Sequence, residues 1–206
     1  MVASFSNIVA QLGNWSPAES TAVVFAILYL MLAIRENIWC WLCAGISTAI
    51  YVYLYFSAKL YMESVLNVFY FAMAIYGWLV WRSGNAGDGT IAVTTWAVKV
   101  HAAAGAVIAV MVIASGFLLD RYTDAAFPYI DSATTFAAIW ATFLVARKVL
   151  ENWWYWLVID VVSIFIYWSR GLELTSALFV LYVLMIPFGL ASWTRSLREQ
   201  REAAIA

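Results

Sequence analysis

Seven apolar stretches, each long enough to cross a bilayer as a helix, fill most of this 206-residue chain. Spanning ~30 Å of hydrocarbon takes ~20 helical residues. The stretches run from about Pro17 to Ile34, Ile38 to Phe56, Leu60 to Trp81, Ala102 to Leu119, Pro128 to Val145, Asn152 to Trp168 and Leu172 to Trp193. Apolar residues make up 66% of the chain and charged ones 11%, against roughly 25% charged in a soluble domain. A water-soluble core cannot hide that much apolar surface, so lipid is the solvent and an all-α membrane protein is the expected fold. The net charge of −1, with no basic patch before the extreme C-terminus, gives no sign of a nucleic-acid partner.

Local signals punctuate these stretches. Ser16-Pro17-Ala18-Glu19 reads as a capping box with proline at the first helical position. The Gly- and Asp-rich run Ser83 to Gly89 reads as a linker. Pro187 is expected to bend the last helix and free a carbonyl. The first fourteen residues carry no Lys or Arg, so the basic start of a cleaved signal peptide is not expected. Val2, Phe5, Val9 and Leu12 form a weak apolar stripe, suited to a short helix at the interface.

Internal duplication is the next constraint. Glu36-Asn37-Ile38-Trp39-Cys40-Trp41 returns as Glu151-Asn152-Trp153-Trp154-Tyr155-Trp156, an offset of 115 residues that also pairs Leu42 with Leu157. The expected plan is therefore two parallel three-helix repeats joined by a connector helix, three plus one plus three. Residues 1–16 form the N-terminal interfacial segment, 17–82 the first repeat and 83–126 the linker and connector. Residues 127–194 form the second repeat and 195–206 a basic cytoplasmic tail. Duplicated helix bundles of this kind commonly place a solute site at the repeat interface.

Basic residues set the expected orientation. The side holding the N-terminus receives Lys59, Arg121 and Arg170. The other receives Arg35, Arg82, Lys99, Arg147, Lys148, Arg195, Arg198 and Arg201. The N-terminus is thus expected outside and the C-terminus in the cytoplasm.

Polar residues at membrane depth need a partner or a purpose. Asp160 lies near the middle of the sixth stretch. Trp153, Trp156, Asp160, Ser163 and Tyr167 recur at spacings of three and four and share one helical face. That face carries aromatic planes, a carboxyl, a hydroxyl and a phenol, the inventory of a ligand site. It can also be read as helix packing around a protonated Asp160. At the 115-residue offset the first half answers with Ile38, Trp41, Gly45, Thr48 and Val52, so Gly45 stands for Asp160 and Thr48 for Ser163. Asn67 adds a polar group to the third stretch, as a ligand contact or an interhelical hydrogen-bonding residue. Asp131, Ser132, Thr134 and Thr135 fall in the first turns of the fifth, as site residues or as capping and interface residues.

Enzyme signatures are missing. The Gly84–Gly89 run lacks the lysine of a phosphate-binding loop, and no zinc-protease or serine-hydrolase pattern appears. Cys40 and Cys43 form a C-x-x-C inside a membrane helix and read as packing residues. His101, beside Lys99 near a helix start, reads as structural. No cofactor or metal is expected.

Longer motifs carry a resemblance. Asn67 to Tyr70, Tyr76-Gly77-Trp78 through Trp81, Phe127-Pro128-Tyr129-Ile130-Asp131-Ser132, and Arg147-Lys148 through Glu151-Asn152-Trp153 to Trp156 resemble the PnuC nicotinamide riboside (vitamin B3) transporter family over about residues 35–193. The pairing of Y-G-W-x-x-W with E-N-W-x-x-W is the specific part. The resemblance implies a fold related to the SWEET sugar transporters and facilitated diffusion of a vitamin that feeds NAD biosynthesis. It also implies a bacterial inner-membrane location and a cytoplasmic kinase that traps the substrate by phosphorylation. A homo-oligomer, a trimer, is a further expectation. Trp153 and Trp156 match the family's paired tryptophans, expected to sandwich a flat ring. Asn67 falls where nicotinamide riboside members often show Gln, and Asp160 where Asn is expected in some of them. The candidate substrate-binding residues are thus Trp153, Trp156, Asp160, Ser163, Asn67, Trp41, Thr48 and Tyr167. A cation between Trp153 and Trp156 would gain cation–π attraction, which favours a cationic vitamin, nicotinamide riboside or thiamine, and the resemblance then favours nicotinamide riboside. Thiamine and riboflavin are the alternatives within transport, and a non-transporting membrane scaffold is the alternative of another class.

Overall fold

The computed structural model describes residues 16–57, 59, 61–84, 91–123 and 127–205. The expected interfacial segment, apart from Ser16, and most of the Gly-rich linker lie outside the described residues. Seven helices account for nearly all the rest: α1 Pro17–Ile34, α2 Cys40–Ser57, α3 Tyr61–Arg82, α4 Val98–Tyr122, α5 Pro128–Ala146, α6 Asn152–Ser169 and α7 Glu173–Ala203. The start of α1 carries the expected capping box, Glu19 N–H donating to Ser16 Oγ at 3.1 Å and Ser16 N–H to Glu19 Oε2 at 2.7 Å. Two free donors at the helix start are thereby satisfied.

Six of the seven are long and apolar enough to cross a membrane. The exception is α6, which has the length, 18 residues, but carries Asn152, Asp160 and three early tryptophans that lower its hydropathy. It packs between α5 and α7, so its polar residues face protein rather than lipid. The last helix α7 runs through Pro187 and on to Ala203, so the first part of the basic tail continues it.

Consecutive helices pack within each half, α1 on α2 on α3 and α5 on α6 on α7, with α4 against α5. The halves meet where α3 packs on α5 and α1 on α7. Two indoles tie this junction together. Trp81 Nε1 of α3 donates to Val145 O at 3.3 Å, and Trp193 Nε1 of α7 donates to Ala33 O at 2.9 Å. Donors and acceptors in these two bonds are each 112 residues apart (193 − 81 and 145 − 33). The same interval relates Ser64 Oγ→Val52 O to Ser176 Oγ→Ile164 O, both at 3.0 Å. It also relates the left-handed turn residues Glu36 (φ 54°) and Lys148 (φ 49°).

Equivalent places in the two halves are thus 112 residues apart, not the 115 of the matching strings. The strings share letters but not location. Glu36 sits in the turn between helices, at the place of Lys148, whereas Glu151 immediately precedes α6.

Glycine at two equivalent positions permits the tight packing. A methyl group at Gly77 would collide with the indole of Trp41, and one at Gly189 with the indole of Trp153. The two tryptophans then lie edge-on to their partners in α3 and α7, Trp41–Trp81 at 5.6 Å and Trp153–Trp193 at 5.5 Å between ring centroids.

Candidate functional site

A cavity of about 310 Å³ lies where the halves meet, lined by all the helices except α4. That volume is at the lower end of small-molecule sites. Its wall follows the 112-residue equivalence: Trp41 and Trp153, Thr48 and Asp160, Asn67 and Phe179, Tyr70 and Tyr182 all line it in pairs. Since α2 and α6 run from Trp41 and Trp153 toward Thr48 and Asp160, the tryptophans mark the end beside the Glu36 and Lys148 turns. Tyr51 and Asn67 mark the other end.

Six of the eight candidate residues are brought together here: Trp41, Thr48, Asn67, Trp153, Trp156 and Asp160. Ser163 is buried but off the wall. Tyr167 is also off it and stacks at 5.2 Å on Phe179, which is a wall residue. Gly45 faces α3, its nearest neighbours being Ala74 and Phe71, so Thr48 and not Gly45 is the counterpart of Asp160 on the wall. The three-residue error in register explains that shift.

Asp160 carries the one carboxyl on the wall among the described residues. It is 4% exposed, and neither ion pair among the described residues uses it. Those pairs are Lys148–Glu36 at 2.9 Å and Arg170–Asp131 at 2.8 Å. The latter, joining the start of α5 to the end of α6, gives Asp131 an interface role. Asn67 Nδ2 donates to Glu63 O at 2.9 Å. Thr48 Oγ1 donates to Ala44 O of its own helix at 2.8 Å. Trp154 is more than half exposed while Trp153 is buried, as their separation of about 100° around the helix requires.

Sequence reasoning missed Tyr29, Tyr51, Tyr70, Asn152, Phe179 and Tyr182, all on the wall. Tyr70 and Tyr182 are identical residues at the 112 interval, a signal that was present. Asn152 lay inside the quoted motif but was read as a helix start. Cys40 and Cys43 are buried free thiols, and His101 Nδ1 lies 3.2 Å from the Tyr155 hydroxyl.

Lipid-compatible helices around a cavity with an aromatic, partly polar wall define a membrane transporter of small solutes. Family comparison gives the same class. The family model described as nicotinamide mononucleotide transporter matches residues 16–195, and the chain belongs to that family. It is 25% identical to the nicotinamide riboside transporter PnuC of Escherichia coli (strain K12), over 91% of this chain and 89% of that protein. It is 26% identical to the riboflavin/roseoflavin transporter RibM of Streptomyces davaonensis, over 91% and 88% respectively. A crystal structure of the vitamin B3 transporter PnuC shares the fold, with a TM-score of 0.73, 24% identity and coverage of 93% of this chain and 86% of that one. The chain is a multi-pass membrane transporter of PnuC type.

Proposed function

We propose that the protein carries nicotinamide riboside across the bacterial inner membrane by facilitated diffusion. The observation that carries this reading is the charge of the cavity wall: one carboxyl, Asp160, no Lys or Arg, and indoles at Trp153 and Trp156. A pyridinium ring is flat and cationic. It gains stacking and cation–π attraction from indoles, ~2 kcal/mol or more when desolvated, and Coulomb attraction from an ionised carboxylate in low dielectric. The E. coli relative is named for the same vitamin. The S. davaonensis relative supports riboflavin as the second reading, a neutral ring that uses neither charge effect.

The reciprocal bonds of Trp81 and Trp193 support two three-helix repeats, 17–82 and 127–194, flanking the connector helix α4. The basic-residue bias supports an outside N-terminus. It weakens from eight against three to seven against three once Lys148, buried in an ion pair, is set aside. Titrating the purified protein tests substrate class. Nicotinamide riboside should quench tryptophan fluorescence saturably and riboflavin bind more weakly. Absence of saturable quenching by any vitamin would instead support a scaffold.

A further inference from the structure

We propose that the outer groove between α2 and α3 binds one anionic phospholipid, with an acyl chain in the groove and the headgroup on Arg82. The groove has a volume of about 360 Å³. It is lined by α2 from Trp41 to Ala49 and by α3 from Phe71 to Leu79, and every lining residue is apolar. It is a different space from the solute cavity, but Trp41 walls both, so a chain lying there backs one wall of the solute site. The proposal does not depend on which vitamin is carried.

Gly45 forms the floor. A methyl group there would lie 3.9 Å from Ala74 Cβ and from the Phe71 ring, an ordinary contact distance, so this glycine leaves room rather than avoiding a clash. Under the 112-residue relation Gly45 and Ala74 correspond to Leu157 and Ile186, which pack into the core of the other half. The groove is a hollow where two small residues stand in place of two large ones. It opens outward, with Ile75 51% and Leu79 59% exposed on its rim. Both helices are long and apolar enough to cross a membrane, so the medium outside them at this depth is lipid. An empty hollow forfeits the dispersion contacts of its lining, and an acyl chain is the filler that medium supplies. Eight residues of helix extend the groove over roughly 12 Å. One leaflet contributes about 15 Å of a ~30 Å hydrocarbon core, so the groove suits a chain from a single leaflet.

The headgroup level is marked at one end. Trp39 and Trp78 meet edge-on there at 5.4 Å between ring centroids, and indoles gather at the membrane–water boundary. Arg82 follows Trp78 by four residues, one turn nearer the helix end and on the same face of α3. It is exposed and takes part in neither ion pair among the described residues. A lipid phosphate at that level meets an available guanidinium, the planar donor best matched to it. A net negative headgroup gains further from the same charge.

Native mass spectrometry of the detergent-purified protein tests this, with phosphatidylglycerol and phosphatidylcholine of the same chains added in turn. One phosphatidylglycerol per chain should stay bound after excess lipid is stripped. Gly45→Leu fills the hollow as Leu157 does in the other half and should cut retention of either lipid several-fold. Ala49→Leu, at a more exposed point of the groove, makes the same test should Gly45→Leu fail to fold. Arg82→Gln, an exposed change, should lower the preference for phosphatidylglycerol about fivefold, whereas Arg198→Gln in the tail should leave it unchanged. Retention untouched by filling the groove, or a preference untouched by Arg82→Gln, would overturn the site. A change of oligomeric mass on filling the groove would show that a second copy of the chain covers it, and would overturn the lipid site as well.

Discussion

Trp153 and Trp156 both line the cavity, but they are held differently, and that separates their expected phenotypes. Trp153 is wedged over Gly189 and against Trp193, so Trp153→Ala removes core as well as ligand surface. It should lower thermal stability by about 3–5 kcal/mol in addition to weakening binding. Trp156 is only partly buried. Trp156→Ala should leave the melting temperature nearly intact while weakening a cationic ligand by ~2 kcal/mol, about thirty-fold. Lipid-facing Trp154→Ala should do neither, and a larger binding loss there than at Trp156 would contradict the assignment of faces. Asp160 decides charge. Asp160→Asn keeps shape and hydrogen-bonding capacity, so binding of nicotinamide riboside should fall while that of the neutral reduced riboside changes much less. Equal losses would mean the carboxyl serves shape alone.

Helices were legible because lipid imposes a blunt rule: a spanning segment needs length and apolarity, and both can be read directly. The capping box at Ser16 and the face shared by Trp153, Trp156 and Asp160 followed from spacing alone. Register between the halves was harder. Glu36-Asn37 and Glu151-Asn152 form the most eye-catching match, yet one lies in a turn and the other at a helix start. The true equivalents are scattered single identities, Tyr55/Tyr167, Ser64/Ser176, Tyr70/Tyr182, Gly77/Gly189 and Trp81/Trp193. Each is kept by a local contact rather than as part of a string. The missed Tyr70 and Tyr182 belong to this class, because which face of α3 or α7 meets the cavity depends on packing no single helix records. The glycine pair provides a test at this level. Gly77→Ala and Gly189→Ala each drive a methyl into an indole, an overpacking worth about 1–3 kcal/mol. Both should lower the thermal midpoint in detergent by similar amounts. Tolerance of either one would mean that the equivalence is not mechanical.

At the scale of the whole molecule, the 112-residue relation between the Trp81 and Trp193 bonds supports the proposed pair of three-helix repeats around one cavity, with Thr48 the counterpart of Asp160 on its wall. No phosphate-binding loop was found in the sequence, and the proposed mechanism is downhill facilitated diffusion rather than pumping. Uptake of labelled nicotinamide riboside into proteoliposomes therefore tests the central claim most directly. Internal concentration should rise saturably to the external value and stop there, unchanged by an imposed proton or sodium gradient and slowed by Trp156→Ala. Flux no greater than that of empty liposomes, or accumulation above the external concentration under a gradient, would contradict it.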